Sequence, residues 1–456
     1  MVHTIHLFLS YGKRKGNYKK RGCAMERRTE DKNVAVIGLG KIGLALAAVI
    51  ADNGFHVIGA DINPSVVSLV NQGKSHVKNE PGLEELVERA HKNNRLSATY
   101  KTVEAVKQTD VVIVIVPVLI DKKNETDYRY MDLAVNEIGK VIQKGTMVIF
   151  ETTVPVGDTR NRFGKKIEEI SGLVAGEDFH LVYSPERVYS NRIVEDLANY
   201  PKVIGAINDE SLQRAISFYK EAIKCETMPV SSLETAEFSK VAECVYRDVN
   251  IALVNELAKF ASEKGVAMDE VIQASNSQPF SHLHKPGIGV GGHCIPIYPF
   301  FFINKGLPNG ITTLARDIND SMSEYAIDKL ERELGSLRGK NILILGLSFR
   351  ENVKEVTKST TLLLLEQLSQ REASIFVNDP QFSKEEIAKY GVTPLTFSDQ
   401  MIEKIDGVIM QAYHEPYESL DFSIFPKCKV ILDGRNVLNK DEITSVGIKY
   451  LGIGIE

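Results

Sequence analysis

The feature that most constrains the fold is Gly38-Leu39-Gly40-Lys41-Ile42-Gly43, because of what flanks it. Val34–Ile37 before it is a short apolar run, and Ile42–Ala51 after it favours a helix. A G-x-G-x-x-G spacing means little alone, but between a strand and a helix it matches a dinucleotide-binding turn. Gly38 permits the tight turn, Gly40 lets backbone amides approach a pyrophosphate, and Gly43 lets the helix pack on the strand. Lys41 and Ile42 open that helix, whose N-terminus adds partial positive charge toward phosphates. Asp61 lies 18 residues past Gly43, at the end of a second strand, His56–Ala60. A carboxylate there accepts hydrogen bonds from the adenosine ribose and repels a 2′-phosphate, so NAD is expected rather than NADP. The plain alternative is a glycine turn followed by a capping Asp.

Further apolar runs follow at Val111–Val116, Thr146–Phe150 and His180–Tyr183. Runs without polar alternation mark strands of a parallel sheet covered on both faces. Residues 232–264 contain no Pro and no Gly, so one long helix is expected there. A second series starts near Lys340: strand Asn341–Leu345, helix Thr360–Gln370, and strands Ser374–Val377, Gly407–Gln411 and Lys429–Leu432. The pattern predicts an α/β fold, with two Rossmann-like doubly wound domains joined by a long central helix. The expected division is 33–228 for NAD binding, 229–327 for a central helical segment that dimerises, and 328–456 for a second nucleotide-type domain. Residues 1–32 are expected to be a disordered basic extension. Within residues 1–24 lie six Lys or Arg and no acid, following rather than preceding the short apolar stretch Ile5–Leu9, the reverse of a secretory signal.

The formal charge of −5 argues against a general nucleic-acid binder, and no apolar run is long enough to span a membrane. The five cysteines are scattered, with no C-x-x-C pair, which suits reduced thiols in a cytoplasmic protein and gives no metal site. The exception in setting is Cys294, inside Gly287-Ile288-Gly289-Val290-Gly291-Gly292-His293-Cys294-Ile295-Pro296. Four glycines in six residues bring backbone close to something, and a thiolate is a good nucleophile. On physics alone, a nucleophile and a buried structural Cys stand about level.

Gly-Val-Gly-Gly-His-Cys-Ile-Pro, together with the early glycine turn, resembles the UDP-glucose/GDP-mannose dehydrogenase family, in the branch acting on UDP-N-acetylhexosamines. The resemblance runs from about Asn33 to the end. It includes Glu80-Pro81-Gly82-Leu83, Glu151-Thr152-Thr153-Val154-Pro155, Pro185-Glu186-Arg187, Ala236-Glu237, Lys240 and Tyr246-Arg247-Asp248-Val249-Asn250. It continues through Arg316, Asn319, Gly346-Leu347-Ser348-Phe349-Arg350 and Asp433-Gly434-Arg435-Asn436.

The resemblance implies oxidation of a UDP-sugar C6 alcohol to a carboxylate with two NAD, for a surface polysaccharide or glycan, in a homodimer built through the central helix. It implies Cys294 as the nucleophile, forming a thiohemiacetal and then a thioester. Lys240 would be the active-site lysine, Glu186 a base or water-orienting group, and Thr153 a water-positioning residue. Thr153 and Pro117 would also line the cofactor. Arg187, Arg247, Gly291, Phe349 and Arg350 would contact substrate with Glu186 and Lys240, Arg350 replacing the family's usual Lys. His293 is taken as structural. The bland reading of Lys240 is an i,i+3 ion pair with Glu237 on a helix face.

Four departures from the family pattern stand out: Cys244 replaces an Asn, Tyr298 an Asp, Val118-Leu119 a Thr-Pro, and Thr357 an Arg. A thiol is a weak donor where an Asn amide would hold an oxyanion. The departures keep two alternatives open. One is a weakened or non-catalytic nucleotide-sugar binder; the other is an oxidation that stops at the aldehyde.

Overall fold

The computed structural model describes residues 33–306 and 309–455; the basic extension expected over 1–32 lies outside them. The first sheet has eight strands. From edge to edge they are Thr227–Pro229, Lys202–Ala206, His180–Tyr183, Met147–Phe150, Val111–Val114, Asn33–Ile37, His56–Ala60 and Leu96–Thr99. Pairing is parallel except where Lys202–Ala206 runs antiparallel to His180–Tyr183. The inner strands Val111–Val114 and Met147–Phe150 are apolar and fully buried, and Asn33–Ile37 is so beyond its exposed first residue, as a sheet covered by helices on both faces requires. Strand order reverses between Asn33–Ile37 and Val111–Val114, which opens a crevice at their C-terminal ends.

The second sheet has six parallel strands: Thr393–Pro394, Ser374–Asn378, Asn341–Leu345, Gly407–Met410, Val430–Asp433 and Lys449–Gly452. Its inner strands Asn341–Leu345, Gly407–Met410 and Val430–Asp433 are apolar and buried apart from the half-buried Asn341 that opens one and the buried Asp433 that closes another.

The helix Leu233–Lys264 joins the two halves. It starts where the Ser232 side chain accepts from the Thr235 amide, and stops at Gly265, whose φ of 65° is the left-handed end that glycine adopts without strain. A second long helix, Ile311–Leu334, packs along it. The sequence reading had not assigned this helix. Its buried face carries Arg316 and Asn319, so the stripe that faces its neighbour is partly polar rather than apolar. Arg316 Nη1 donates to Asp248 at 2.5 Å, and Asn319 Nδ2 donates to the same carboxylate at 2.8 Å. Such buried polar groups are tolerable only when paired.

Candidate active site

The glycine turn comes first. Gly38 has φ +97°, and its amide donates to the Ala60 carbonyl at 2.8 Å, tying the turn to the second strand. A Cβ on Gly43 would lie 1.9 Å from the Gly38 carbonyl oxygen, so turn and helix touch backbone to backbone. A Cβ on Gly40 would meet nothing within 4 Å, so the turn is open on that side. Asp61 accepts from the Leu39 amide and the Asn63 amide, both at 2.8 Å. It therefore braces the loop as well as closing the strand. The exposed Pro117 lies across the crevice, just past Val111–Val114. Thr152 Oγ1 donates at 2.6 Å to the Val116 carbonyl beside it. An open glycine cradle, a helix N-terminus at Lys41 and an acceptor at Asp61 fit an NAD pyrophosphate and ribose.

The Gly-rich loop delivers Cys294 to this same edge. Cys294 packs against the apolar cluster on one face of the first sheet, and its charge acts on Tyr298, which bonds Thr153 just past the end of Met147–Phe150. Among the described cysteines it alone is not fully buried. Burial would push its thiol up, but His293, Lys240 and Arg247 hold it below the ordinary thiol value.

Lys240 is buried on the face of the central helix that also carries Glu237 and Cys244. Its expected bland partner is engaged elsewhere: Glu237 accepts from the Gly157 amide at 2.5 Å and the Thr159 amide at 2.9 Å. Among the described residues none forms a hydrogen bond or ion pair with the Lys240 ammonium, whose charge acts on both Cys294 and Glu186. Arg247, two turns of helix past Lys240, donates to Tyr189 at 3.2 Å and to Glu243 at 3.0 Å, and its Nε has no partner among the described residues.

The two substituted positions line the same space. Cys244 is fully buried, and burial pushes its thiol up to about 11. Tyr298 is buried too. Its phenol pKa is held well up, first by burial and then by the Cys294 charge; a hydrogen bond with Thr153 opposes this.

A buried ion cluster that the sequence reading missed sits beside them. Lys202 Nζ donates to Glu151 at 2.7 Å and to Glu186 at 2.5 Å, and Tyr219 donates to Glu151 at 2.6 Å. Burial raises Glu151 to about 7. Glu186 is lowered despite its burial, because Lys202 faces it directly. The one sequence signal was a lysine at the head of the apolar strand Lys202–Ala206. Arg187 donates through its guanidinium to the Pro201 carbonyl rather than to these carboxylates.

The C-terminal half closes the far side. Cβ atoms on Gly291 and Gly292 would each come within 2.9 Å of the Phe349 side chain, so the loop lies flat on that ring. The Gly292 amide donates to the Thr357 carbonyl at 2.9 Å. Arg350 reaches the Ser190 carbonyl at 3.1 Å, and Lys41 the Ser190 hydroxyl at 3.3 Å. Cys294, Lys240, Arg247, Glu186 and Thr153 thus stand near one another, with Phe349 against the glycine loop. Arg187 and Arg350 are already occupied by backbone carbonyls.

The UDP-glucose/GDP-mannose dehydrogenase family matches in three consecutive parts: its NAD binding domain over residues 32–223, its central domain over 234–321 and its UDP binding domain over 343–440. The chain belongs to the UDP-glucose/GDP-mannose dehydrogenase family. It is an NAD-dependent nucleotide-sugar dehydrogenase by that membership.

Among its relatives is UDP-N-acetyl-D-mannosamine dehydrogenase of Pyrococcus horikoshii, 30% identical over 92% of this chain and 99% of the relative. The solved structure of that organism's UDP-D-ManNAc dehydrogenase covers 92% of this chain and 99% of its own, at 30% identity and a TM-score of 0.84. A UDP-glucose dehydrogenase from Pyrobaculum islandicum is equally similar in fold: TM-score 0.85, 29% identity, covering 94% of this chain and 99% of its own. Among the described residues no helix is long and apolar enough to cross a membrane.

Proposed function

We propose that this dehydrogenase oxidises the C6 hydroxyl of a UDP-N-acetylhexosamine to the uronate, with Cys294 as covalent nucleophile. The observation that carries the reading is the partly buried Cys294 beside a buried lysine that has no partner among the described residues, at the C-terminal edge of the NAD-binding sheet.

The Lys240 ammonium would stabilise the oxyanion that develops as the alcohol loses its proton and a hydride. Cys294 would then add to the aldehyde carbon, giving a thiohemiacetal. Loss of a second hydride would leave a thioester. Water oriented by Thr153 and Glu186 would hydrolyse it, releasing carboxylate and restoring the thiol. NAD, held at Gly38, Gly40 and Gly43, would take the hydride at each oxidation. Phe349 and Arg350 would line the UDP-sugar from the C-terminal half.

The substrate class rests on the branch motif and on the names of relatives, which include both UDP-N-acetylmannosamine and UDP-glucose enzymes. An NAD-reduction screen tests it, with UDP-N-acetylglucosamine, UDP-N-acetylmannosamine, UDP-N-acetylgalactosamine, UDP-glucose and GDP-mannose. Two NADH per UDP-N-acetylhexosamine are expected. Folded protein that reduces no NAD with any of the five would refute the reading.

The buried Cys244 and Tyr298 favour one competing reading, a weakened enzyme that releases thioester slowly or stops at the aldehyde. Restoring Tyr298→Asp together with Cys244→Asn would then raise turnover. An already robust wild type unaffected by the change would exclude it.

We also propose a homodimer. Phe238, Tyr246, Leu253 and Phe260 form an exposed stripe at steps of eight, seven and seven along the central helix, away from the face of Lys240. Leu253→Glu with Phe260→Glu should yield monomer in sedimentation; a wild type that is already monomeric would refute the dimer. Unpaired cysteines and a thiolate nucleophile fit a reducing, cytoplasmic setting.

A further inference from the structure

We infer that His293 and Glu355 are positioning residues that hold Cys294 as a thiolate, so that the nucleophile is primed by a carboxylate from the C-terminal half of the chain. This rests on the reading of Cys294 as the nucleophile. His293 precedes the thiol directly, and its Nδ1 lies 2.9 Å from Glu355 Oε1, a residue 62 positions away. The other Glu355 oxygen is 3.7 Å from Lys41 Nζ in the glycine turn. The Gly292 amide and the Thr357 carbonyl clamp the two segments together at 2.9 Å.

The arrangement sets a carboxylate against the imidazole of the residue next to the thiol, and an imidazolium held there favours the thiolate. The charges agree. His293 is raised to about 10, first by its hydrogen bond to Cys294 and then by Glu355. Glu355 is lowered despite burial, by His293 and Lys41. The remaining groups that face the thiol are Lys240, Arg247, Cys244 and Tyr298.

The test is the pH dependence of Cys294 alkylation by iodoacetamide on the full chain, read by peptide mass spectrometry without sugar or NAD. The wild-type midpoint is expected below the ordinary thiol value of about 8.5. His293→Gln should raise it by about one unit or more and slow alkylation at pH 6.5 roughly tenfold, since only the thiolate reacts. Glu355→Gln should shift it the same way by less, and Glu355→Asp should recover part of that shift.

A midpoint that moves by less than about 0.2 units in both neutral variants would overturn the pair, as would a wild-type midpoint near 8.5. If His293→Gln fails to fold, Glu355→Gln decides. Shifted midpoints in a protein that never reduces NAD would sink the proposed function and leave the pair standing. Two-NADH turnover with unmoved midpoints would do the reverse.

Discussion

Substitution of Gly43 by Ala and of Gly40 by Ala should separate fold from cofactor binding at one turn. At Gly43 the new methyl would sit 1.9 Å from the Gly38 carbonyl oxygen and 2.9 Å from Ile115 Cγ2. Ordinary contact needs about 3.5 Å, so roughly 1.6 Å must open between turn and helix. The oxygen cannot turn aside, because Gly38 is already at φ +97° and its amide is bound to Ala60. The buried helix Lys41–Asp52 must move instead.

Overpacking of this kind costs about 1–3 kcal/mol, and in a domain the size of the NAD-binding one each kcal/mol lowers melting by roughly 2–4 °C. The shift also withdraws helix amides from the pyrophosphate. Losing one charge-assisted bond, about 1.5–3 kcal/mol, weakens NAD roughly 10- to 100-fold. Gly40 has φ −61° and ψ −170°, which any residue adopts, and its added methyl meets no protein atom within 4 Å. Gly40→Ala should therefore melt like wild type yet bind NAD more weakly, because the methyl fills the side the pyrophosphate approaches. Calorimetric titration with NAD and a thermal melt of each variant measure both effects. The reasoning fails if Gly43→Ala keeps wild-type melting and affinity, or if Gly40→Ala loses as much stability as Gly43→Ala.

Lys202→Met should destabilise the protein by about 3–5 kcal/mol in urea titration, because it strands two buried carboxylates, Glu151 and Glu186. Lys240→Met should act in the opposite sense. It should cut kcat/KM on the order of 10²–10³-fold while leaving stability unchanged or raised, since it removes a buried cation that no described residue pairs. Cys294→Ala should abolish uronate formation, so that product mass spectrometry finds at most aldehyde and NADH never reaches two per sugar.

Much of this protein is written in short stretches of chain. The strand–turn–helix around Gly38, the apolar strands of both sheets, the unbroken helix from Leu233 and the crowding of glycines before Cys294 are near-neighbour properties. Backbone conformation and periodic burial depend on residues a few positions apart, so the sequence alone determined the fold class and pointed to a thiol. Pairing of charges is another matter. Glu237 and Lys240 are three apart and share a helix face, yet Glu237 binds the Gly157 and Thr159 amides and Lys240 stays unpaired among the described residues. Lys202 is bracketed by carboxylates from two other strand ends, and His293 meets a glutamate from the other half of the chain. The helix Ile311–Leu334 was hidden for the same reason, because Arg316 and Asn319 interrupt its apolar buried face and are satisfied by Asp248. Which polar groups become partners depends on distances of a few ångströms that only packing sets. A charge therefore shows its role only after folding has decided what stands opposite it.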